Sequence, residues 1–299
     1  MVMDHFDRAA RSAAKLNPIG FFRWLLPDLD PSLVFRGWLD TRTPPFPGEP
    51  ERVCDTLASF QNAADPGEWW ALPVEFETEP TSDILDRLLE YVARLRRGLR
   101  QGGDPRAKYQ VAAALVHLTG PVQSKSLAMY LPGLPAVGVQ MQVALRTMRE
   151  ESASITLRGI ANDQIDHCLL PWIPLMQGGT ESSIIKQWQE LAAKEPDSGF
   201  RSAYAALALV FAELKESLAN WKQALEGWNM RQSQMVLGWQ AERARVDLVE
   251  VLQARFQAGL PANLRDTLEG ISDLGELSRL LKVAATAASL DAFRASMRP

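Results

Sequence analysis

Hydrophobic residues recur at intervals of three and four in several segments of the first half of the chain, which is the spacing of an amphipathic helix. Residues 6–16 show this pattern, and Asn17-Pro18 ends it, because a proline disfavours helical backbone at the residue before it. Residues 19–26 form a second, more apolar helical segment. A third helix is predicted over residues 84–95, with Ser82 as its N-cap.

Other segments of the same half carry the β-branched and aromatic residues that are typical of strands. Strands are predicted over residues 33–39, 52–60, 69–78, 109–118 and 154–160, the last of which is followed by the apolar segment 169–176. The segment 109–118 is apolar enough to be buried on both faces of a sheet. Residues 43–48, rich in proline, are predicted to be a loop. This order of elements predicts an α/β fold with a mixed sheet.

After Gly178-Gly179 the pattern changes to long helical periodicity with few strand signals. Helices are predicted over residues 184–194, 204–218, 221–239 and 243–256, with shorter pieces after residue 261. We therefore predict an α/β domain of residues 1–177 and an all-helical domain of residues 178–299. Four tryptophans on these helices are interpreted as core anchors, because large aromatic residues on amphipathic helices mostly pack inside. They are Trp188, Trp221, Trp228 and Trp239.

The composition is that of an ordinary globular protein, with 46% hydrophobic and 23% charged residues among 299. No segment has the roughly 20 consecutive apolar residues of a membrane-spanning helix, and the acidic start does not fit a secretory signal, so we expect a cytoplasmic protein. Cys54 and Cys168 lack the paired spacing of a zinc site and are interpreted as buried small residues. The net charge of −4 excludes a general attraction to polyanions.

Three carboxylates stand on two neighbouring predicted strands. Asp55 lies in the middle of the strand 52–60, where an acid is costly unless it is paired or bound to a metal. Glu75 and Glu77 lie on the strand 69–78, two residues apart and therefore on the same side. Carboxylate oxygens are the ligands that Mg²⁺ or Mn²⁺ take in phosphodiester hydrolysis. Convergence of two or three of these groups therefore predicts a metal site.

The same acidic residues also fit a purely structural interpretation. Acidic pairs near strand ends are common, and Glu75, Glu77 and Glu79 are typical of the solvated face of a half-buried strand. The apolar residues 69–73 that precede them favour an interior strand instead. On chemistry alone the two interpretations stay open.

Several blocks of sequence around these acids, and others in the helical half, resemble a known family. They are Arg52-Val53-Cys54-Asp55-Thr56-Leu57, Leu72-Pro73-Val74-Glu75-Phe76-Glu77-Thr78-Glu79, Asp86-Arg87-Leu88-Leu89-Glu90-Tyr91 and residues 221–239, 252–256 and 287–293. They resemble the Rpn family, the recombination-promoting nucleases that were earlier classed as YhgA-like transposases. The resemblance covers most of the chain and implies a PD-(D/E)XK nuclease-type core that acts on DNA. In such folds an acid of the first helix, here Asp4 or Asp7, approaches the metal.

The resemblance implies a role for each acid of the strands. Asp55 and Glu75 are the metal ligands, with Mg²⁺ or Mn²⁺ as the cofactor. The family usually has Glu-x-Gln on the second strand, and related nucleases have Glu-x-Lys, whereas this chain has Glu77 at that position. A lysine stabilises the attacking hydroxide and the charge of the phosphorane, which a glutamate cannot do. Either Glu77 binds metal or acts as a base, or a cation from elsewhere such as Arg87 assists, or the site is degenerate.

Basic residues gather beside this region, although the net charge is negative. They are Arg87, Arg94, Arg96, Arg97, Arg100, Arg106 and Lys108. We expect Arg87 and Arg94 to bind the substrate, because Arg87 is in the middle of the predicted helix and a local basic patch makes phosphate contacts. Arg96, Arg97 and Arg100 are interpreted as the solvated face of the helix.

The favoured function is a Mg²⁺-dependent DNA endonuclease serving recombination or defence. The alternative is a catalytically silent relative whose nuclease fold and helical C-terminal region serve protein binding or homo-oligomer formation, as Glu77 and the acidic net charge indicate. A third possibility, a helical scaffold, requires that residues 52–78 form no sheet.

Overall fold

A computed structural model gives the fold of residues 5–43, 52–102, 108–121, 124–228, 234–256 and 261–297. The predicted loop at 43–48 lies outside these residues, apart from its first position. The chain forms two compact units, one of residues 1–196 and 207–226 and the other of residues 197–206 and 227–299. The domain boundary after residue 177 remains a prediction.

Strands occupy the first half of the chain, and helices occupy both halves. The strands are β1 (Leu33–Trp38), β2 (Arg42–Thr43), β3 (Arg52–Val53), β4 (Thr56–Asn62), β5 (Glu68–Glu77), β6 (Lys108–Val111), β7 (Ala114–His117), β8 (Ser126–Leu131), β9 (Leu134–Gln142) and β10 (Ala144–Thr147). The α-helices are α1 (His5–Leu16), α2 (Pro18–Leu25), α3 (Ile84–Gly102), α4 (Ala153–Ala161), α5 (Ser182–Ala192), α6 (Ser198–Leu214), α7 (Leu218–Ala224), α8 (Gln234–Phe256), α9 (Ala262–Glu269), α10 (Leu274–Thr286) and α11 (Leu290–Ser296). Short 3₁₀ helices span Met148–Glu150 and His167–Leu175.

The main sheet has the order β1-β4-β5-β7-β10, with β6 pairing with the first part of β5. The pairs β1–β4 and β4–β5 are antiparallel, whereas β5–β6, β5–β7 and β7–β10 are parallel. The predicted α/β class with a mixed sheet is thus confirmed, and so is the sheet over residues 52–78. The predicted strand 109–118 is present as β6 and β7, which pair with successive parts of β5.

Hydrophobic side chains cover both faces of the sheet. On one face, α3 packs through Ile84, Leu88, Tyr91 and Leu95 against a cluster that includes Leu57 and Leu115. On the opposite face the Phe76 ring lies 6.2 Å from the Phe21 ring of α2 and 6.0 Å from the Trp172 ring, between centroids. Because side chains alternate along a strand, burying Phe76 on this face turns Glu75 and Glu77 to the α3 face.

The strand predicted over residues 154–160 is wrong, because this segment is the helix α4. The Ser152 side chain caps the helix by accepting a hydrogen bond from the Ile155 N–H at 3.4 Å. The buried residues follow helical spacing: Ala153, Thr156, Leu157 and Ile160. Ile155 is apolar but exposed, and it stands next to the buried Thr156. Two consecutive β-branched residues are also typical of a strand, which is why the sequence pattern was misinterpreted.

The N-cap of α4 offers a direct test of this assignment. Ser152→Ala removes the side-chain acceptor for the first turn and is expected to lower the free energy of unfolding by about 1 kcal/mol. Urea unfolding measures the change, with Arg158→Ala, at an exposed position of the same helix, as the control. Equal stability of the two variants would contradict the capping role.

Several strands were not predicted from the sequence, and one helix was predicted as too long. The hairpin β8–β9 and the edge strand β10 were not predicted. The helix predicted over residues 221–239 is divided into α7 and α8, and Gly227 after α7 has φ +87°, a left-handed conformation that favours glycine. Residues 229–233 lie outside the described ranges.

The interpretation of tryptophans as core anchors is confirmed for two of them. Trp188 and Trp221 are fully buried in the first unit, with their rings edge-to-face at 5.3 Å. From residue 182 onward, every described helix or strand is a helix, as predicted. Among the described helices, none combines the length and the apolar character that a membrane crossing requires.

Candidate active site

Asp55 and Glu75 meet where the pairing of β4 with β5 ends. The last paired residues are Thr56 and Val74. Asp55 lies at a bend between β3 and β4, which corrects the prediction that it lies within a strand. At this bend the backbone of residue 55 leaves the regular ladder, so its N–H and that of Phe76 need other acceptors.

The two carboxylates supply those acceptors reciprocally. The Asp55 N–H donates to Oε1 of Glu75 at 2.9 Å, and the Phe76 N–H donates to Oδ2 of Asp55 at 2.9 Å. Each carboxylate therefore accepts a backbone hydrogen bond with one of its oxygens. In this way the segment at Asp55 and the end of β5 hold each other in place. The pair is fixed by the fold, which is the preorganisation that a ligand site requires.

Glu75 and Glu77 are both buried, with 4% and 8% of their surfaces exposed. The interpretation of these two acids as a solvated strand face is therefore wrong. They lie on a central strand between β4 and β7, and the α3 face above them is covered by protein. Glu79, beyond the end of β5, is exposed.

Arg87 of α3 reaches both buried glutamates. Its Nη2 atom lies 3.6 Å from Oε2 of Glu75 and forms an ion pair and a short hydrogen bond with Oε1 of Glu77. The hydroxyl of Thr81 donates to the other oxygen of Glu77 at 3.2 Å. Glu77 thus holds a guanidinium beside Glu75, and about a third of the Arg87 side chain, 30%, remains exposed.

The sequence patterns missed a second arginine at the site. Arg11 of α1 places Nε 3.8 Å from Oδ1 of Asp55, the oxygen that does not accept from Phe76. Arg11 is one helical turn from Asp7, which accepts a hydrogen bond from the Thr78 hydroxyl at 3.0 Å. The (i, i+4) spacing of Asp7 and Arg11 on an amphipathic helix was the available signal. Asp4 lies outside the described residues.

Burial and crowding perturb the acids electrostatically. Burial raises the pKa of the Glu75 carboxyl to about 8, and the negative charge of Asp55 adds to the rise. Burial also raises the pKa of Asp55, against the lowering effects of the Phe76 N–H and of Arg11. A neighbouring cation relieves this cost, because it favours the ionised carboxylates.

The arginines of α3 divide into buried and exposed groups. Arg94 has no exposed side-chain surface and forms an ion pair with Glu90 at 2.5 Å. A buried guanidinium cannot contact a phosphate, so Arg94 does not fit the predicted role of a substrate ligand. Arg87, the other predicted ligand, is partly exposed and does fit it. Arg96 and Arg97 are exposed, as predicted for the solvated face. The side chains of Arg100, Arg106 and Lys108 lie outside the described set.

The cysteines and one histidine near the sheet are interior residues. Cys54 and Cys168 are free and buried, as predicted, and burial raises the pKa of the Cys54 thiol to about 12. His117 is fully buried, and burial lowers its pKa. Neither ring nitrogen of His117 forms a hydrogen bond with a residue that the structure describes.

The carboxylates of the site suit a metal ion that takes few protein ligands, but not one that is held by three or more side chains. Among the described residues, no group of three or more histidine, cysteine, aspartate or glutamate side chains is arranged to hold a metal ion. Mg²⁺, however, is commonly held by one or two carboxylates, with waters and substrate phosphates as its other ligands. Asp55 and Glu75 supply two such carboxylates side by side, so these residues fit Mg²⁺ or Mn²⁺ in that manner.

Comparison with known proteins identifies no relative of this chain. No family model matches the chain, and neither the curated proteins nor the solved structures include a significant match.

Proposed function

We propose that the chain is a divalent-metal-dependent DNA endonuclease with a PD-(D/E)XK-type site, related to the Rpn family. The observation that carries the proposal is the pair of the partly buried Asp55 and the buried Glu75, held by reciprocal hydrogen bonds beside the guanidinium of Arg87. Neighbouring carboxylates with raised pKa values are costly for a fold to keep, and such groups concentrate at functional sites.

The side chains would divide the chemistry among them. Asp55 and Glu75 would hold Mg²⁺ or Mn²⁺, which when bound activates water and polarises the phosphate. Arg87 carries the positive charge that related nucleases place on the second strand, and it would bind the phosphate as charge develops. Glu77 is then a positioning residue, because its ion pair and its bond from Thr81 hold Arg87 in place.

A specific observation also favours the alternative, a silent nuclease-fold protein. The carboxylate oxygens that are free of backbone hydrogen bonds, Oδ1 of Asp55 and Oε2 of Glu75, already face arginines at 3.8 and 3.6 Å. Arginine partners can neutralise buried acids without any metal. The alternative therefore predicts a stable ion-pair network that binds neither Mn²⁺ nor DNA.

Cleavage of supercoiled plasmid DNA in Mg²⁺ or Mn²⁺ tests the proposal. Wild type is expected to nick the plasmid, and Asp55→Asn and Glu75→Gln are expected to reduce cleavage to background. Both variants keep an oxygen acceptor for the backbone N–H groups, so they are expected to fold. Glu79→Gln, an exposed acid beyond the same strand, is the matched control and should cleave like wild type.

Calorimetric titration with Mn²⁺ separates the two functions independently of DNA. Binding by wild type that Asp55→Asn abolishes supports the metal site. A folded wild type that neither cleaves DNA nor binds Mn²⁺ would refute the nuclease and support the silent alternative.

A further inference from the structure

Arg11 of α1 lies beside the oxygen of Asp55 that does not accept from the backbone of Phe76. The Phe76 N–H donates to Oδ2 of Asp55, whereas Nε of Arg11 lies 3.8 Å from Oδ1. Both side chains are largely buried, with 16% of Arg11 and 17% of Asp55 exposed. Oδ1 is also the oxygen that is more open to a metal ion, because Oδ2 already accepts a hydrogen bond. Arg11 and a metal ion therefore compete for the same oxygen.

A metal ion at this oxygen would stand close to the guanidinium of Arg11. Mg²⁺ lies about 2.1 Å from a carboxylate oxygen, so it would be no more than about 6 Å from Nε of Arg11. Like charges at this separation repel each other, and a largely buried site screens the repulsion less than open solvent does. Arg11, in the position that it has without metal, therefore weakens metal binding.

Arg87 faces the other proposed metal ligand, but it has an acidic partner besides that ligand. Its Nη2 atom lies 3.6 Å from Oε2 of Glu75 and forms an ion pair with Glu77, which is not one of the two proposed ligands. Arg87 therefore keeps an acidic partner when a metal ion takes Glu75. Arg11 differs, because the acid that it faces at the site is itself a proposed ligand.

The helix that carries Arg11 is attached to the sheet at another residue. Asp7, one turn earlier on α1, accepts a hydrogen bond from the Thr78 hydroxyl at 3.0 Å, and Ala10 and Ala13 of the helix are fully buried. The backbone of α1 can therefore stay in place while the Arg11 side chain turns. Its exposed fraction of 16% gives the side chain a way to solvent.

We propose that Arg11 is an internal counter-cation of the metal-free site, which a divalent metal ion displaces from Asp55 in order to bind. The inference rests on the proposed function and adds a regulation of the same site. In the metal-free protein, Arg11 neutralises Asp55 and lowers the affinity of the site for metal. The displaced guanidinium is free to contact a DNA phosphate, so metal and DNA favour each other's binding.

Calorimetric titration of the full-length protein with Mn²⁺ at pH 8 tests the displacement. Arg11→Met is expected to bind Mn²⁺ about tenfold more tightly than wild type, an effect within the usual range of coupling between two binding events. Arg11→Lys keeps a cation at the position and is expected to bind like wild type. Lys15→Met removes an exposed positive charge one turn further along α1, and this matched control should also bind like wild type.

The outcomes separate this inference from the proposed function. Equal or weaker Mn²⁺ binding by Arg11→Met than by wild type overturns the displacement, while binding by both proteins still supports the proposed metal site. If neither protein binds Mn²⁺, the metal site and the displacement are both refuted.

Thermal unfolding provides a second readout that is independent of DNA cleavage. In EDTA, Arg11→Met is expected to be less stable than wild type, because Asp55 loses its neighbouring cation. Mn²⁺ is expected to raise the melting temperature of Arg11→Met by more than that of wild type. Arg11→Gln, which removes the charge but keeps a hydrogen-bond donor, is expected to behave in the same way. An equal rise in wild type and in both uncharged variants contradicts displacement.

Discussion

Replacing Arg87 with methionine is expected to lower the free energy of unfolding by about 3 kcal/mol, because removing one partner from a buried ion pair leaves the other charge unpaired. Here Glu77 loses its ion-pair partner, and Glu75 loses the neighbouring cation that favours its ionised form. The same change is expected to reduce DNA cleavage by about 100-fold to 1000-fold, the effect of removing one group that stabilises charge in a transition state. Urea unfolding and plasmid cleavage measure the two effects.

A double variant distinguishes the structural role of Arg87 from the role in DNA cleavage that we propose for it. Arg87→Met combined with Glu77→Gln removes one of the two unpaired carboxylates, so it is expected to recover part of the lost stability. It is not expected to recover cleavage, because the cation is still missing. Recovery of cleavage in the double variant would mean that Arg87 serves the fold alone.

Two further variants control for charge and position. Arg87→Lys keeps a cation near Glu75 and is expected to retain more cleavage than Arg87→Met, although it cannot reproduce the guanidinium geometry. Arg96→Met removes an exposed arginine of the same helix and is expected to leave stability and cleavage near wild type.

Without metal, the protein is expected to become less stable as the pH rises from about 4.5 to about 8. The pKa of Glu75 is 4.5 in an unperturbed chain and about 8 in the fold. Between these values the folded state holds a proton that the unfolded state has released, so the free energy of unfolding falls with increasing pH. Below this window both states are protonated, and above it neither is. The raised pKa of Asp55 acts in the same direction.

The expected loss is on the order of 3 kcal/mol across the window, since each unit of pKa difference corresponds to about 1.4 kcal/mol before relaxation of the site reduces it. Urea unfolding in EDTA at pH 5 and pH 8.5 measures it. Glu75→Gln has no proton to release there, so it should show a flatter profile and exceed wild type in stability at pH 8.5. Glu79→Gln should keep the wild-type profile, and the same profile in Glu75→Gln would contradict the assignment.

Metal is expected to counteract this loss. At the proposed metal site Mn²⁺ would bind the ionised carboxylates, so its binding would be linked to their deprotonation. The increase in melting temperature on adding Mn²⁺ should therefore be larger at pH 8 than at pH 6. It should be absent in Asp55→Asn. An increase that does not depend on pH would place the Mn²⁺ elsewhere on the protein.

Local patterns in the sequence determined most of the sheet and the first helices. Runs rich in apolar, β-branched and aromatic residues identified β4, β5 and the β6–β7 segment, because such runs are typical of strands inside a sheet. The spacing of Glu75 and Glu77 placed both acids on one side of a strand, as the structure has them. The net charge of −4 excluded a general attraction of the protein to polyanions.

Sequence patterns failed where the outcome depended on distant partners. The segment 154–160 has a run of β-branched residues, but its buried side follows helical spacing and Ser152 caps it as α4. The hairpin β8–β9 remained hidden because its apolar residues are exposed on both faces, which a pattern of buried and solvated positions does not describe. Neither result follows from the spacing of apolar residues alone.

The candidate site shows the same division. The sequence by itself determined that Glu75 and Glu77 lie on one side of a strand, because the alternation of side chains along a strand is a local property. Only the tertiary structure decided that Asp55 lies at a bend, that its carboxylate and that of Glu75 cap each other's backbone, and that Arg87 and Arg11 face the remaining oxygens. The physical reason is that α1, α3 and the two strands are separate elements, so their side-chain charges meet only when these elements pack against one another.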